Sequence, residues 1–229
     1  LPHREDSEST NGTPGGAHLD DVTRDLGKEW DIVTNMAIKL VPGGHPHHAT
    51  AEAAANAAIA AAAAPGDIAG ITISAPNYRT LPGPAHPTDL IGVAHSPAYI
   101  VAAAVADRGY GWIHASPAKV ADPTIKALID RIVTDPDPEP YPDRFPHHHG
   151  ATVTIRLADG REFSSHVDFP RGSGPRGIEW PDVDAKYRAL VPLSGLAPDR
   201  VERSLEAIHE LERVGSLGEL TGLLSQGGN

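Results

Sequence analysis

The sequence contains no cysteine, so disulfides, thiolate metal sites and cysteine nucleophiles are excluded outright. It also lacks a cationic excess: 19 Lys and Arg face 30 Asp and Glu, for a formal net charge of −11. That balance opposes generic attraction to nucleic acid or to an anionic membrane, yet it permits a small acid to bind in a locally cationic pocket. Long apolar runs are missing too. The longest, around Ala53 to Ala64, is too short and too alanine-rich to cross a bilayer, and nothing has the form of a secretory leader. These absences point to a cytoplasmic protein with neither nucleic acid nor membrane as partner.

What is present is enough for a folded core. The chain has 229 residues, 40% of them apolar, a length that can bury a core without covalent staples. The stretch KLVPGGHPHHATAEAA, residues 39–54, gathers three of the 13 histidines and one lysine onto a Pro-Gly elbow that runs into an alanine-rich segment.

Local signals place the elements. Asp20 or Asp21 can cap a short helix ending near Gly27, followed by an extended segment over residues 30–41. Alanine content predicts a helix over 50–64, stopped by Pro65-Gly66. Its near-lack of bulky side chains suits a helix packed between other elements. Residues 68–74, IAGITIS, read as a strand, and a Pro-rich loop follows to Pro87. Ser96 and Asp122 are N-caps, with Pro97 and Pro123 at the first helical positions, where a missing N–H is harmless. Gly109 terminates the first of these helices, and Ile125, Leu128, Ile129 and Ile132 form one stripe of the second. Residues 151–169 read as a hairpin with a type I′ turn at Asp159-Gly160. Val153, Ile155 and Leu157 share one face of its first strand, and Phe163, Val167 and Phe169 one face of its second. Helices are then expected from Trp180 to Leu190, Pro198 to about Arg213, and Ser216 to Leu224. The fold class that follows is α+β, with helices on one side of a small antiparallel sheet.

Three patterns invite chemistry and are set aside. His147, His148 and His149 are adjacent and therefore point in different directions, which argues against a metal site. GSGPRG, residues 172–177, fits the letters of a phosphate-binding glycine motif, but Pro175 deletes a donor and the preceding strand belongs to a hairpin. His48 and Glu52 stand four apart on a helix without a third ligand. No metal is expected. The elbow is stronger, because a lysine, the amides of a helix start and an imidazole can converge there on a carboxylate with a base beside it. The same spacing also fits a solvated lysine next to helix-capping histidines.

The order of motifs resembles the C-terminal half of the MmgE/PrpD family, which includes 2-methylcitrate dehydratase, cis-aconitate decarboxylase and iminodisuccinate epimerase. The resemblance runs from about Asp21 to Leu224. It is carried by LGKEWDIVTNMAIKLVPGGHPHHATAEAA, HSPAYIVAAAVADRG, VADPTIKALIDRI, ATVTIRLADGREFSSHVDFPRG and VDAKYRAL, similar in turn to the family's Lys-x-x-Pro elbow, Ser-x-x-Tyr helix, Asp-Pro helix, hairpin with Pro-Arg-Gly exit, and Lys-Tyr/Phe-Arg helix. Gly43 and Gly44 stand where many relatives carry larger side chains, a departure that implies either a larger pocket or compensation by His45 and His47.

The polar, Gly- and Pro-rich start of the chain is expected to be a disordered arm, over 1–18; the resemblance implies an α+β lid domain over 19–195 and C-terminal helices over 196–229 that return to an all-helical domain absent from this chain. It also implies a cofactor-independent lyase that acts on a small di- or tricarboxylate, most directly by dehydration. By carry-over, Lys39 binds the substrate carboxylate with help from His45 and His47, His48 moves the proton near neutral pH, and Tyr99 protonates or orients the leaving group. An isomerase, epimerase or decarboxylase on the same scaffold is a close variant. A non-catalytic subunit completing the site of a separate helical half is the competing reading. A homo-oligomer is expected in either case. So are exposed Leu205, Ile208, Leu220 and Leu224, left uncovered by the absent domain.

Overall fold

The computed structural model describes residues 26–28, 37–78, 81–142, 149–173 and 176–225. The chain divides into two compact units, Leu1–Met36 and Ala37–Asn229. In the first, the described residues form a turn with Gly27 at φ +80°. The helix expected from Asp20 or Asp21, and the part of the extended segment before Ala37, lie outside the described residues.

The second unit is α+β. Its sheet has the order β2-β1-β3-β4, with β1 at Ile68–Ser74, β2 at Ile132–Thr134, β3 at Ala151–Leu157 and β4 at Glu162–Val167. The described helices are α1 His48–Ala61, α2 Leu90–Ala94, α3 Pro97–Asp107, α4 Pro117–Ala121, α5 Pro123–Ile129, α6 Trp180–Leu190, α7 Pro198–His209 and α8 Leu217–Leu224. Pairing of β1 with β3 and of β3 with β4 is antiparallel, but β2 runs parallel to β1, with Ile71 opposite Ile132. The sheet is therefore mixed rather than purely antiparallel. Ile132 is the reason: instead of extending the stripe of α5, it begins a β-branched Ile-Val-Thr run that satisfies the open edge of β1. The Ile71 N–H donates to the Arg131 carbonyl at 2.9 Å and the Asp135 N–H to the Ile73 carbonyl at 2.8 Å.

The hairpin turn also differs from type I′. Gly160 is at φ +87°, whereas Asp159 is not in the left-handed region. The Gly160 N–H donates to the Leu157 carbonyl at 3.0 Å and the Leu157 N–H to the Arg161 carbonyl at 2.9 Å. This is a type I turn followed by a left-handed glycine, the three-residue solution that keeps the strand twist.

Among the described residues, the helices cover one sheet face. Ile71, Ile73, Val153 and Ile155 are each 0% exposed beneath them. On the other face Thr152 meets His166 at 2.9 Å and Thr154 meets Ser164 at 2.8 Å, a polar ladder toward solvent. Helix α1 packs against β3 and β4 on one side and against α3 on the other, which explains its composition. Ala53, Ala54 and Ala57 are all 0% exposed in this layer. Enlarging one should overpack this layer. Ala54→Leu is expected to lower stability by about 1–3 kcal/mol or more, read as a lower urea midpoint at unchanged slope; an unshifted midpoint would show that the layer has room.

The capping devices are as the residues dictate. Ser96 Oγ accepts from the Tyr99 N–H at 3.1 Å and Asp122 Oδ1 from the Thr124 N–H at 2.8 Å. Helix α3 closes on Arg108 in the left-handed conformation, φ +54°, one residue before the expected Gly109. Of the C-terminal side chains expected to be exposed, Leu224 is 43% exposed, Ile208 and Leu220 are half-buried, and Leu205 is buried at 3%. Leu205 lies on the α7 face that, with Val201 and Ser204, is closed off from solvent.

Candidate functional site

The elbow is pinned at both ends by backbone. Before it, the Ile38 N–H donates to the Gly172 carbonyl at 3.0 Å; after Pro42, the Gly44 N–H donates to the Ala94 carbonyl at 2.8 Å. A short 3-10 turn, His45–His47, then feeds α1. Gly172 has φ +84°, and a Cβ there would stand 2.4 Å from the Ile38 carbonyl oxygen. Gly172→Ala should therefore lose about 1–2 kcal/mol from left-handed strain alone and displace the segment that carries Lys39. A melting curve superposable on wild type would contradict this.

Between the elbow and α1 lies a recess of about 280 Å³ lined by Leu40, Val41, His48, Ala51, Glu52, Ala55, Tyr110 and Arg171. That volume is at the small end of ligand pockets, suited to a compact metabolite. His48 is 6% exposed and its Nε2 is buried without a hydrogen-bond partner among the described residues. Burial, first, and then the neighbouring His45 and Lys39 charges bring its pKa down to about 3, against a smaller opposing contribution from the Gly43 carbonyl. The imidazole expected to titrate near neutral pH is thus held neutral by desolvation.

Lys39 is exposed, and its ammonium donates to the same Gly43 carbonyl at 3.0 Å. Lys39 and His48 therefore meet at one backbone oxygen. The carboxylate and the guanidinium that line the recess are already compensated: Arg176 grips Glu52 through two bonds of 2.7 Å, and Arg171 reaches Asp182 at 2.5 Å. Glu52 has the Arg176 guanidinium as its partner. Among the described residues no group of three or more His, Asp or Glu could hold a metal ion. His147 and His148 lie outside the described residues.

The other expected site residues are distributed unequally. The His45 ring sits edge-on to His48 at 5.2 Å and to His149 at 5.5 Å. His47 is 8% exposed, stacks on Tyr78 at 5.7 Å and shares a short hydrogen bond with its hydroxyl. Its pKa falls to about 4, chiefly through burial and then through His95 and Lys39. A Cβ on Gly44 would stand 3.1 Å from the His47 ring, and one on Gly43 would stand 3.1 Å from Ile100 Cδ1. The space that larger side chains would claim at these positions is therefore occupied by His47 and Ile100. Tyr99 is 1% exposed and donates its hydroxyl to the His114 carbonyl at 2.7 Å. Burial, and then Asp122 and Asp107, push that phenol up to about 12. Neither Tyr99 nor Lys39 is among the lining residues: Lys39 stands at the elbow on the Gly43 carbonyl, while the Tyr99 hydroxyl is committed in the core.

Sequence reading missed Tyr110 and Arg171. Tyr110 follows the helix terminator in DRGYGW, where no periodicity marks a side chain's direction. Arg171 belongs to the Pro-Arg-Gly exit of the hairpin, a segment of 3D proximity to the elbow that spacing does not reveal.

No curated protein matches the chain at a significant level. Residues 42–213 match the family model described as the MmgE/PrpD C-terminal domain, a span that includes His45, His47, His48, Tyr99, Tyr110 and Arg171 and begins three residues after Lys39. With its α+β fold, its mixed four-stranded sheet and this match over most of its length, the chain belongs to the MmgE/PrpD family, which includes dehydratases and related enzymes.

Proposed function

We propose that this chain forms the lid half of a lyase that dehydrates a small polycarboxylate, with Lys39 and His48 as its contribution to the chemistry. The observation that supports this reading is the juxtaposition at the elbow: a buried imidazole with an unpartnered Nε2 lines the recess, and the Lys39 ammonium, outside that lining, sits on the Gly43 carbonyl that also acts on His48. Lys39 takes one carboxylate of the substrate. His48 Nε2 takes the proton from the adjacent carbon, the C–H electron pair becomes the new C=C bond, and the hydroxyl on the next carbon leaves with its C–O electron pair and takes that proton from the imidazolium, so that water departs and His48 is neutral again. The negative charge that develops beside the carboxylate is stabilised by the ammonium and by the α1 amides in a water-poor site. Substrate binding also adjusts the base. A carboxylate placed beside His48 favours its charged form and so raises the pKa from about 3 toward the range in which proton transfer is efficient.

The Tyr99 hydroxyl could serve the leaving group only by giving up its bond to His114. The remaining wall of the cleft is assigned to a helical half. Trp180, Leu193, Leu211 and Leu217 of the C-terminal region are 54%, 80%, 48% and 70% exposed, the kind of apolar surface that a partner covers. Among the described residues no helix is long and apolar enough to cross a membrane. The test is an assay of water loss from 2-methylcitrate, citrate and related acids by the chain alone and with a candidate helical half. Turnover of one such acid by the pair supports the reading, and inactivity of every combination toward every acid contradicts it.

A further inference from the structure

Tyr110 and His48 share an anomaly. Both line the recess, and each carries a buried polar atom, Tyr110 Oη and His48 Nε2, with no hydrogen-bond partner among the described residues. The large majority of buried polar side-chain atoms in folded proteins are paired, so two orphans on the residues of one small cavity point to a common partner.

The position of Tyr110 is nevertheless fixed. Its ring stacks on His114 at 5.0 Å with an interplanar angle of 25°. His114 is itself locked: the Gly111 N–H donates to its Nδ1 at 3.0 Å, and its Nε2 meets Asp107 Oδ2 at 3.0 Å. Asp107 is held in turn by Lys119. A phenol braced through this chain yet left without a bond at its hydroxyl is preorganised for something that enters the recess.

We propose that Tyr110 is a catalytic residue of this site, its hydroxyl donating a hydrogen bond to the oxygen of the bound acid that gains negative charge as His48 removes the proton. The inference rests on the dehydratase reading above and adds a donor that the sequence placed instead at Tyr99. Burial holds the Tyr110 phenol well above its ordinary range, so it keeps its proton and acts as a donor rather than a base. No atom is transferred by Tyr110: the proton leaves carbon for His48, and the phenol contributes only a hydrogen bond that strengthens as charge builds.

Two measurements test this. Tyr110→Phe preserves the ring, its packing on His114 and hence the fold, which an unchanged melting profile verifies. It is expected to lower kcat by roughly 10²-fold, the scale of losing one preorganised donor, with KM nearly unchanged. Normal kcat and KM in that variant would overturn the proposal. Independently of turnover, 3-fluorotyrosine at position 110 should shift saturably on titration with citrate, while the same label at Tyr141, on the far sheet face beside His166, should not. A saturable shift without turnover of any acid sinks the dehydratase reading but keeps Tyr110 as a ligand contact. An unmoved Tyr110 resonance at citrate concentrations that saturate the protein overturns the contact itself.

Discussion

His48→Ala is expected to lower turnover of the preferred acid by roughly 10²-fold or more, the scale of losing an acid–base group, and Lys39→Ala is expected to do the same by removing the charge that stabilises the developing carbanion. The two losses have different origins and should look different. His48 is buried against the recess, so its removal takes away the proton acceptor and should depress kcat. Lys39 is exposed, and among the described residues its ammonium bonds to the Gly43 carbonyl, so its removal leaves the fold intact and should raise KM as well as lower kcat. Near-normal rates in both variants would remove the elbow from the mechanism. Because the two groups meet at one carbonyl, the double variant should lose less than the product of the single effects.

Acid should destabilise this fold in an unusually high window. Unfolded, the His47 and His48 side chains take up protons near pH 6.5; folded, they do so only at about 4 and about 3. Between those limits the unfolded state binds more protons, so stability rises with pH. The stabilising contribution is complete above about pH 6.5, declines as pH falls through the folded values and is gone below them. Each histidine changes stability by about 1.4 kcal/mol per pH unit within its window, so moving from about pH 7 to pH 5 should cost on the order of 2–4 kcal/mol, a sizeable share of a typical domain's 5–15 kcal/mol. Asp107, whose pKa is lowered by Lys119 and His114 against its own desolvation, acts only further down, below the ordinary carboxylate value. Urea midpoints between pH 7 and 5 check this: they should fall steeply in wild type and flatten in a His47→Gln, His48→Gln double variant. Parallel profiles in the two proteins would mean that these imidazoles are not the groups being titrated.

The legible parts of the fold were those governed by local rules. Ser96-Pro97 and Asp122-Pro123 announce helix starts because the cap and the missing N–H act within one turn, and the strand at 68–74 appears with the expected bounds. The parallel strand at Ile132–Thr134 was not legible, since three residues joined to an α-helix carry no period of their own and acquire one only from the edge of β1. At the site, the nearness of the Lys39 ammonium to the elbow that precedes the helix followed from sequence order. The depth of His48 did not, because its low pKa comes from what covers it rather than from its neighbours in sequence. Tyr99 and Tyr110 show the same limit. Tyr99 lies in the first turn of α3 and Tyr110 just past its C-terminal end, and only three-dimensional packing commits the Tyr99 hydroxyl to the His114 carbonyl and leaves that of Tyr110 without a bond.

The most direct test of a shared recess is the protonation of His48 followed by imidazole NMR as citrate is added. Without ligand His48 should stay neutral down to about pH 3; with citrate its pKa should rise by a unit or more, as an adjacent carboxylate requires, and Lys39→Ala should abolish that response. A His48 that titrates near 6.5 and ignores both citrate and the lysine would contradict the account.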